Sequence, residues 1–200
     1  MYLSRVSALD STFISHKACW DNLAWVHERV MSLFGNLERQ QNGSRGVLYR
    51  VEPDARSGGW VLIQSRVPPI PAPGRVATVD LDRLISSITT DKKYRIRVRL
   101  NTVYKSGDTG KRSVVPIADR EQWMLDKLSA FDLDRDSVRM SHGHQYITKD
   151  GNQVPIASTL LDGLVLRIND LEAAQDNLEN GIGKAKAYGC GLLSLAPIPA

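Results

Sequence analysis

A glycine-rich, basic segment near the end of the chain most restricts what this sequence can fold into. It reads GIGKAKAYGCGLLSLAP over residues 181–197 and carries Lys184 and Lys186. Its glycines are Gly181, Gly183, Gly189 and Gly191. Glycine lets a backbone adopt positive φ and lie close to a ligand, and lysine supplies point charges suited to phosphate. Because the apolar run 192–195 predicts a final strand, the segment is a candidate cradle for a phosphate backbone.

Two common nucleotide-binding motifs do not fit this segment. A P-loop needs a glycine five residues before the Gly-Lys pair and Ser or Thr after it, but Leu178 and Ala185 occupy those positions. A dinucleotide fingerprint needs a third glycine, where Lys186 stands, and a strand–turn–helix context. ATP and NAD are therefore not expected as ligands, and no cofactor is predicted.

The composition fits a globular chain of one large or two small domains. Of the 200 residues, 42% are hydrophobic, and small domains of about 100 residues are common. A net charge of +4 permits a nucleic-acid partner without establishing one. Cys19 and Cys190 lack CxxC spacing, which indicates reduced thiols, and Cys190 is predicted to be a small buried residue. Without a long apolar run or a signal-like start, we expect a cytoplasmic protein with no membrane partner.

Two polar segments are only weakly similar to metal-binding motifs. The aspartates of DLDRD (residues 132–136) lack the glycine and distal glutamate of a calcium loop. His142 and His144 lack evident third and fourth ligands. We predict a solvated turn at the first segment, a polar turn at the second, and no metal site.

The hydrophobic pattern predicts an order of strands and helices that occurs twice. The first set is strand 1–9, helix 21–37 and strands 47–52, 60–66 and 76–80. The second set is strands 94–101 and 113–117, helix 119–131, a strand pair or extended arm over 138–148, strand 163–168, helix 170–179 and strand 192–195. The proline-rich stretch 67–74 either connects two domains or is a loop on the first. The pattern fits two tandem α+β units, and it also fits one mixed domain.

Basic residues concentrate on one predicted strand and the loop after it. Strand 94–101 places Arg95, Arg97 and Arg99 on one face, because side chains alternate along a strand. These arginines contact either an anion such as RNA or acidic residues of a neighbouring strand. The loop that follows carries Lys105, Lys111 and Arg112 among glycines, and we expect it to order on RNA.

His27 lies at the edge of the apolar stripe of the predicted helix 21–37. The stripe consists of Leu23, Val26, Val30, Leu33, Phe34 and Leu37. For a lone histidine on such a helix, packing at the boundary of the core is the simpler interpretation. An imidazole can also transfer protons near neutral pH, so His27 remains a catalytic candidate.

Taken together, these motifs resemble the CasE family of CRISPR RNA-processing endoribonucleases, in the type I-E branch of the RAMP superfamily. MYLSRV (1–6) is similar to that family's first strand, and RVRLN (97–101) and KRSVVPI (111–117) resemble its central basic strand and the strand after it. The glycine-rich segment resembles its C-terminal loop. The resemblance covers nearly the whole chain and implies an α+β fold of two tandem ferredoxin-like (RRM-like) domains with antiparallel sheets. Residues 1–90 would carry the catalytic helix, and residues 91–200 the basic strand and glycine-rich loop.

The resemblance also implies a reaction. The expected activity is metal-independent cleavage of CRISPR precursor RNA within the repeat, next to its hairpin, by attack of a 2′-hydroxyl. The products would carry a 2′,3′-cyclic or 3′-phosphate and a 5′-hydroxyl, and the protein would stay bound to the guide RNA among the other subunits of a type I-E Cascade complex. The alternatives are a non-cleaving hairpin-RNA-binding subunit of such a complex and, more distantly, a general or ribosome-associated RNA-binding protein.

Site residues follow from the same resemblance. It implies that His27 is catalytic, in preference to His16, which precedes the helix in a predicted loop. The family often has a tyrosine three residues before this histidine, whereas this chain has Ala24. Either a different second group, such as another tyrosine or a lysine, acts with His27, or the enzyme is slower. Lys149 is implied near the scissile phosphate. The predicted RNA contacts are Arg95, Arg97, Arg99, Lys105, Lys111, Arg112, Lys149, Lys184 and Lys186.

Overall fold

The computed structural model describes residues 1–7, 22–35, 37, 46–52, 59–70, 76–107, 110–149 and 152–199. The elements up to residue 86 are β1 (Tyr2–Ser7), α1 (Leu23–Ser32), β2 (Val47–Glu52), β3 (Trp60–Ser65), β4 (Val76–Asp80) and α2 (Asp82–Ser86). The later elements are β5 (Tyr94–Asn101), β6 (Val103–Lys105), β7 (Arg112–Val114), α3 (Arg120–Lys127), β8 (Phe131–Lys149), β9 (Asn152–Ile168), α4 (Leu171–Asn180) and β10 (Leu193–Pro197). Short 3₁₀ turns span Ile117–Asp119 and Lys186–Tyr188.

The strands form two four-stranded antiparallel sheets with equivalent strand orders. The first sheet runs β2-β3-β1-β4 and the second runs β10-β5-β9-β8. In both, the last strand lies beside the first and the third strand separates the first from the second, which is the ferredoxin-like arrangement. The predicted fold class, α+β with two tandem ferredoxin-like domains, is confirmed. In the second unit α3 and α4 are the two crossover helices; in the first, the described residues between β3 and β4 contain no helix.

The first core forms where α1 packs on its sheet. Asn22 caps the helix by accepting a hydrogen bond from the Trp25 backbone N–H at 3.1 Å. The buried side chains of Val26 and Val30 meet Tyr49 and other sheet residues. The helix ends at Ser32, earlier than predicted, since the chain soon turns at Gly35, whose φ is +60°.

The second core lies on the apolar face of β5. Ile96, Val98 and Leu100 are buried against α3 and α4, and their arginine neighbours lie on the opposite face. Ile85 of α2 also packs into this second core, although α2 precedes residue 90. The domain boundary at residue 90 therefore stays a prediction.

The β8–β9 hairpin corrects two predictions of turns. The DLDRD and HGHQYITK segments both lie within β8, which pairs with β9 from Phe131↔Ile168 to Lys149↔Asn152. The register shifts near Asp132 and again between Asp134 and Arg139. Both turn predictions are wrong because β8 is an edge strand, where polar side chains remain exposed to solvent. The extended arm predicted over 138–148 is present as part of this hairpin.

The basic segment after β5 includes a short two-stranded hairpin. β6 and β7 pair antiparallel, with Lys105 opposite Arg112. The Ser106 N–H donates to the Lys111 carbonyl at 2.9 Å, which begins the turn. Among the described residues, none of the helices has the length and apolar character needed to cross a membrane.

Candidate active site

The glycine-rich loop leaves α4 and folds back on itself before it enters β10. The Gly181 N–H donates to the Asn177 carbonyl at 3.0 Å and ends the helix. The Ile182 N–H then donates to the Gly191 carbonyl at 2.9 Å, which closes the base of the loop. Because the Gly191 N–H donates to the Arg99 carbonyl at 2.7 Å, the loop is also fixed to β5.

The glycines of this loop serve two purposes. All four have positive φ, between +69° and +91°. A Cβ at Gly181 would lie 2.7 Å from the Gly191 carbonyl oxygen, and one at Gly191 would lie 2.9 Å from the Ile182 oxygen. These two glycines are therefore required by the loop's own backbone. A Cβ at Gly183 would meet only Leu100 at 4.0 Å, so that position is open to a ligand.

His27 lies near two tyrosine rings that come from different parts of the chain. Its ring centroid is 6.5 Å from that of Tyr49 on β2 and 6.2 Å from that of Tyr188 in the loop. Tyr49 is buried, and its hydroxyl donates to the Ala187 carbonyl at 2.7 Å. Burial raises the pKa of Tyr49 strongly, so this phenol keeps its proton. The structure thus joins α1, β2 and the glycine-rich loop around one imidazole.

Tyr188 also borders a small cavity that carries positive charge. The cavity has a volume of about 180 Å³, and Lys184 and Arg112 contribute its basic side chains. Its other walls come from the ends of β5 and β6, the loop and the β8–β9 arm. Sequence reasoning missed Tyr188; the one signal was an aromatic residue within a glycine-rich basic loop.

A third apolar cluster fixes the arm of the β8–β9 hairpin to the loop. Ile147 and Ile156 pack with the buried Cys190, beside Tyr188 and Leu23 of α1. Burial raises the pKa of the Cys190 thiol to about 12, with Arg99 acting in the opposite direction. The expectation that Cys190 is a small buried residue is confirmed.

Lys186 contacts the protein itself. Its ammonium donates to the Asn180 carbonyl at 2.6 Å, at the C-terminal end of α4. The side chain is half-buried, and this burial lowers its pKa while Asp176 acts to raise it. A cation at a helix C-terminus stabilises the exposed carbonyls there, so this contact gives Lys186 a structural role, whereas Lys184 is exposed.

The arginines of β5 share a face but differ in their partners. Arg97 forms a bidentate ion pair with Asp162 at 2.6 and 3.0 Å and a further one with Glu52 at 2.9 Å. Of the two alternatives for this face, cross-strand pairing holds for Arg97. Within the described ranges, Arg95 and Arg99 have no carboxylate at ion-pair distance.

Arg99 borders an open groove on the same side of the second sheet. The groove has a volume of about 530 Å³, and its floor includes Leu160, Ser158 and Gly143. His142 and His144 also line it. In the part of the chain that the structure describes, no group of three or more His, Cys, Asp or Glu side chains could hold a metal ion.

The remaining predicted RNA contacts lie on the β6–β7 hairpin and at the end of β8. Lys105, Lys111 and Arg112 are exposed on the β6–β7 hairpin. The backbone of Lys149 ends β8, opposite Asn152. His16, the competitor of His27, lies outside the described residues.

Comparison with known proteins gives consistent matches along the whole chain. The sequence model of a family described as CRISPR associated protein matches residues 1–197. The CRISPR system Cascade subunit CasE of Escherichia coli (strain K12) is 31% identical over 212 residues, covering 99% of this chain and 100% of that protein.

Two solved structures agree with the fold. The crystal structure of the CRISPR-associated protein Cas6e from Escherichia coli K-12 superposes with a TM-score of 0.68 at 27% identity, over 99% of this chain and 100% of that one. Thermus thermophilus Cse3, bound to an RNA representing a pre-cleavage complex, superposes with a TM-score of 0.72 at 22% identity, over 98% of each chain. The second likeness shows the fold alone.

Proposed function

The chain belongs to the CRISPR-associated protein family that includes the Cascade subunit CasE, and from this premise we propose that it is an endoribonuclease that cleaves CRISPR precursor RNA. Cleavage would occur within the repeat, next to its hairpin, and the protein would stay bound to the guide RNA within a type I-E Cascade complex. The observation that carries the proposal is the position of His27, which lies beside Tyr188 where that ring borders a cavity lined by Lys184 and Arg112.

The proposed reaction needs only groups that RNA and the chain supply. The 2′-hydroxyl attacks the adjacent phosphorus, a 2′-O–P bond forms, and the bond from phosphorus to the 5′-oxygen breaks. His27 takes the proton of the attacking hydroxyl, since an imidazole titrates near neutral pH. The leaving oxygen gains a proton, so the products are a 2′,3′-cyclic phosphate and a 5′-hydroxyl, and no metal takes part.

Cations around the cavity would stabilise the negative charge that develops on the phosphate. Lys184 and Arg112 lie at the cavity itself, and Arg99 lies at the groove farther along the second sheet. The outer contacts to the hairpin backbone would come from Arg95, Lys105, Lys111 and Lys149. We assign Arg97 and Lys186 to holding the protein around the site, because both already have protein partners.

A non-cleaving hairpin-binding subunit is the second candidate. The observation that favours it is Ala24, because a methyl group can neither donate nor accept a proton where the resemblance leads us to expect a tyrosine. The same fold and the same cations would then hold RNA without cutting it.

A single-turnover cleavage assay at equal RNA occupancy separates the two candidates. We expect His27→Ala to slow cleavage of the cognate repeat by roughly 100-fold or more, with hairpin binding retained because the cations lie on other elements. Glu28→Ala removes an exposed side chain of the same helix and is the matched control, with a rate near wild type; His16→Ala tests the competitor. A wild-type rate for His27→Ala would contradict its catalytic role, and an inactive wild type would favour the non-cleaving binder.

The metal requirement is tested in the same assay. We expect cleavage to persist in EDTA and to leave a 5′-hydroxyl, which polynucleotide kinase can label directly. A strict magnesium requirement, or a 5′-phosphate on the product, would contradict the proposed mechanism.

A further inference from the structure

Two tyrosine rings lie near His27, those of Tyr49 and Tyr188. Of these two, Tyr188 lines the cavity that also holds Lys184 and Arg112. We propose that the Tyr188 phenol is the general acid of the cleavage reaction and gives its proton to the departing 5′-oxygen. This inference rests on the proposed ribonuclease function, and it assigns the second catalytic group to the glycine-rich loop.

The two tyrosines near His27 differ in what their hydroxyls can do. Tyr49 is 1% exposed, and its hydroxyl already donates to the Ala187 carbonyl. Tyr188 is only half-buried, and it lines the cavity of about 180 Å³. Of these two phenols, Tyr188 is therefore the one placed to reach a bound phosphodiester.

The backbone around Tyr188 is fixed on both sides. Ala185, just before the 3₁₀ turn, has a φ of +62°, and Gly189 just after it has a φ of +78°. The Tyr188 N–H donates to the Ala185 carbonyl at 2.9 Å. A non-glycine residue held in the left-handed region indicates a conformation that the surrounding structure determines. The loop thus presents the ring in a defined position, as proton transfer requires.

Charge and protonation favour the assignment of acid to Tyr188 and base to His27. A tyrosine hydroxyl carries a proton that it can donate. A histidine side chain is partly uncharged at neutral pH and can accept. Lys184 and Arg112 border the same cavity as Tyr188. A phosphate held by these two cations would therefore lie beside the Tyr188 phenol.

The protons balance in this scheme. His27 takes the proton of the 2′-hydroxyl as the 2′-oxygen bonds to phosphorus. Tyr188 gives its proton to the 5′-oxygen as the bond between that oxygen and phosphorus breaks. The imidazolium and the phenolate then return to their starting forms by proton exchange with water.

The position one turn before His27 on α1 cannot supply the acid. It is Ala24, whose exposed methyl group has no proton to give. The Tyr188 ring reaches the same imidazole from a segment that is 161 positions away from His27 in sequence (188 − 27).

The test compares Tyr188→Phe with His27→Ala on two substrates, with Tyr146→Phe as the matched control. Tyr146→Phe removes an exposed phenol on β8, and its rate should match wild type. On the natural linkage, Tyr188→Phe should cleave roughly 100-fold more slowly, as for loss of a general acid. The second substrate carries sulfur in place of the bridging 5′-oxygen, and this thiolate departs without a proton. With this substrate, Tyr188→Phe should cleave at a rate within a few-fold of wild type, and His27→Ala should remain slow.

The outcomes separate this inference from the proposed function. If Tyr188→Phe cleaves the natural linkage at the wild-type rate, or if sulfur does not rescue it, Tyr188 is not the general acid, although His27 can still be the base. If His27→Ala is unaffected on both substrates, His27 is not the base; if the wild type cleaves neither substrate, the proposed function itself fails. Thermal unfolding of Tyr188→Phe shows whether it is folded, and the sulfur substrate remains decisive for any folded variant.

Discussion

At the scale of single residues, the glycines of the loop fall into two kinds. Some sit where the backbone has no room for a Cβ, and others border open space. Gly181 and Gly191 approach each other so closely that a Cβ on either would collide with the backbone of the loop. Gly183 has a similar φ but no neighbour that a Cβ would displace. The same residue type therefore has a structural function at the base of the loop and leaves room for a ligand farther along it.

This difference predicts unequal costs of substitution. Gly183→Ala should lower the free energy of unfolding by about 1–2 kcal/mol, the usual cost of an L-residue in the left-handed region. Gly191→Ala should cost about 2–4 kcal/mol, because its Cβ would also lie 2.9 Å from the Ile182 oxygen. Urea denaturation of the two variants measures both values. Equal costs would mean that the loop backbone shifts to make room for the new Cβ at position 191 without a further loss of stability.

At the scale of elements, β5 combines a face that packs into the core with a face of arginines for which we propose RNA contacts. One face packs into the second core, and the other carries arginines with different surroundings. Arg97 is paired with Asp162 and Glu52, and these acids together with hydrogen bonding raise its pKa further. Arg99, two residues on, borders the open groove of the second sheet.

These surroundings predict that the two arginines respond differently to alanine. Arg99→Ala should weaken hairpin binding and lower the slope of log affinity against log salt by about 0.7–0.9, the value of one lost phosphate contact. Arg97→Ala should leave that slope unchanged and lower the free energy of unfolding instead, since Glu52 and Asp162 lose a partner. Fluorescence anisotropy over a salt series, together with thermal unfolding, tests both. A reduced slope for Arg97→Ala would mean that Arg97 contacts an RNA phosphate as well.

Sequence reasoning succeeded at elements with a clear period. The bounds of β2, β4 and β5 were predicted to the residue; apolar and polar residues alternate strictly in β5, and β2 and β4 are short runs rich in valine between polar or glycine-bearing segments. It failed at DLDRD and HGHQYITK, where an exposed edge strand carries polar residues that local pattern assigns to turns. Whether a polar segment pairs with a distant strand depends on tertiary contacts, which propensity does not encode.

Prediction of the site has a similar limit. The glycine-rich loop and the position of His27 on its helix could be read from local motifs. The meeting of Tyr188 with His27 could not, because it depends on how α1 and the loop pack around Tyr49. The pairing of Arg97 with Glu52 could not be predicted from the sequence either, since Glu52 belongs to the other sheet.

At the scale of the whole molecule, a buried arginine joins the two ferredoxin-like units. Arg50 of β2 is 2% exposed. Its Nη1 donates to the carbonyls of Leu192 and Arg97 at 2.9 and 3.1 Å, and its Nη2 donates to the Ser194 hydroxyl at 3.0 Å. Its Nε donates to Glu52 at 2.6 Å, which leaves the guanidinium with partners in both units.

This junction bears directly on the proposed site. Arg50 follows Tyr49, which stacks with His27, and it binds the Leu192 carbonyl just after the glycine-rich loop. Burial lowers the pKa of Arg50, and the charge of Glu52 opposes that effect. The hydrogen bonds of Arg50 therefore link the strand that carries Tyr49 to the strand that follows the loop.

Replacement of Arg50 tests whether the junction aligns the site. Arg50→Met should lower the free energy of unfolding by about 3–5 kcal/mol, because it leaves the buried Glu52 with Arg97 alone and removes donors from two carbonyls. Adding Glu52→Gln should recover part of that loss, since it removes the uncompensated charge. Arg5→Met, which removes an exposed guanidinium over the Trp60 ring, is the control and should cost about 1 kcal/mol or less. Folded Arg50→Met protein should bind hairpin RNA yet cleave it more slowly than wild type at equal occupancy. If it cleaves at the wild-type rate, the two units find their alignment through other contacts, and the junction contributes stability alone.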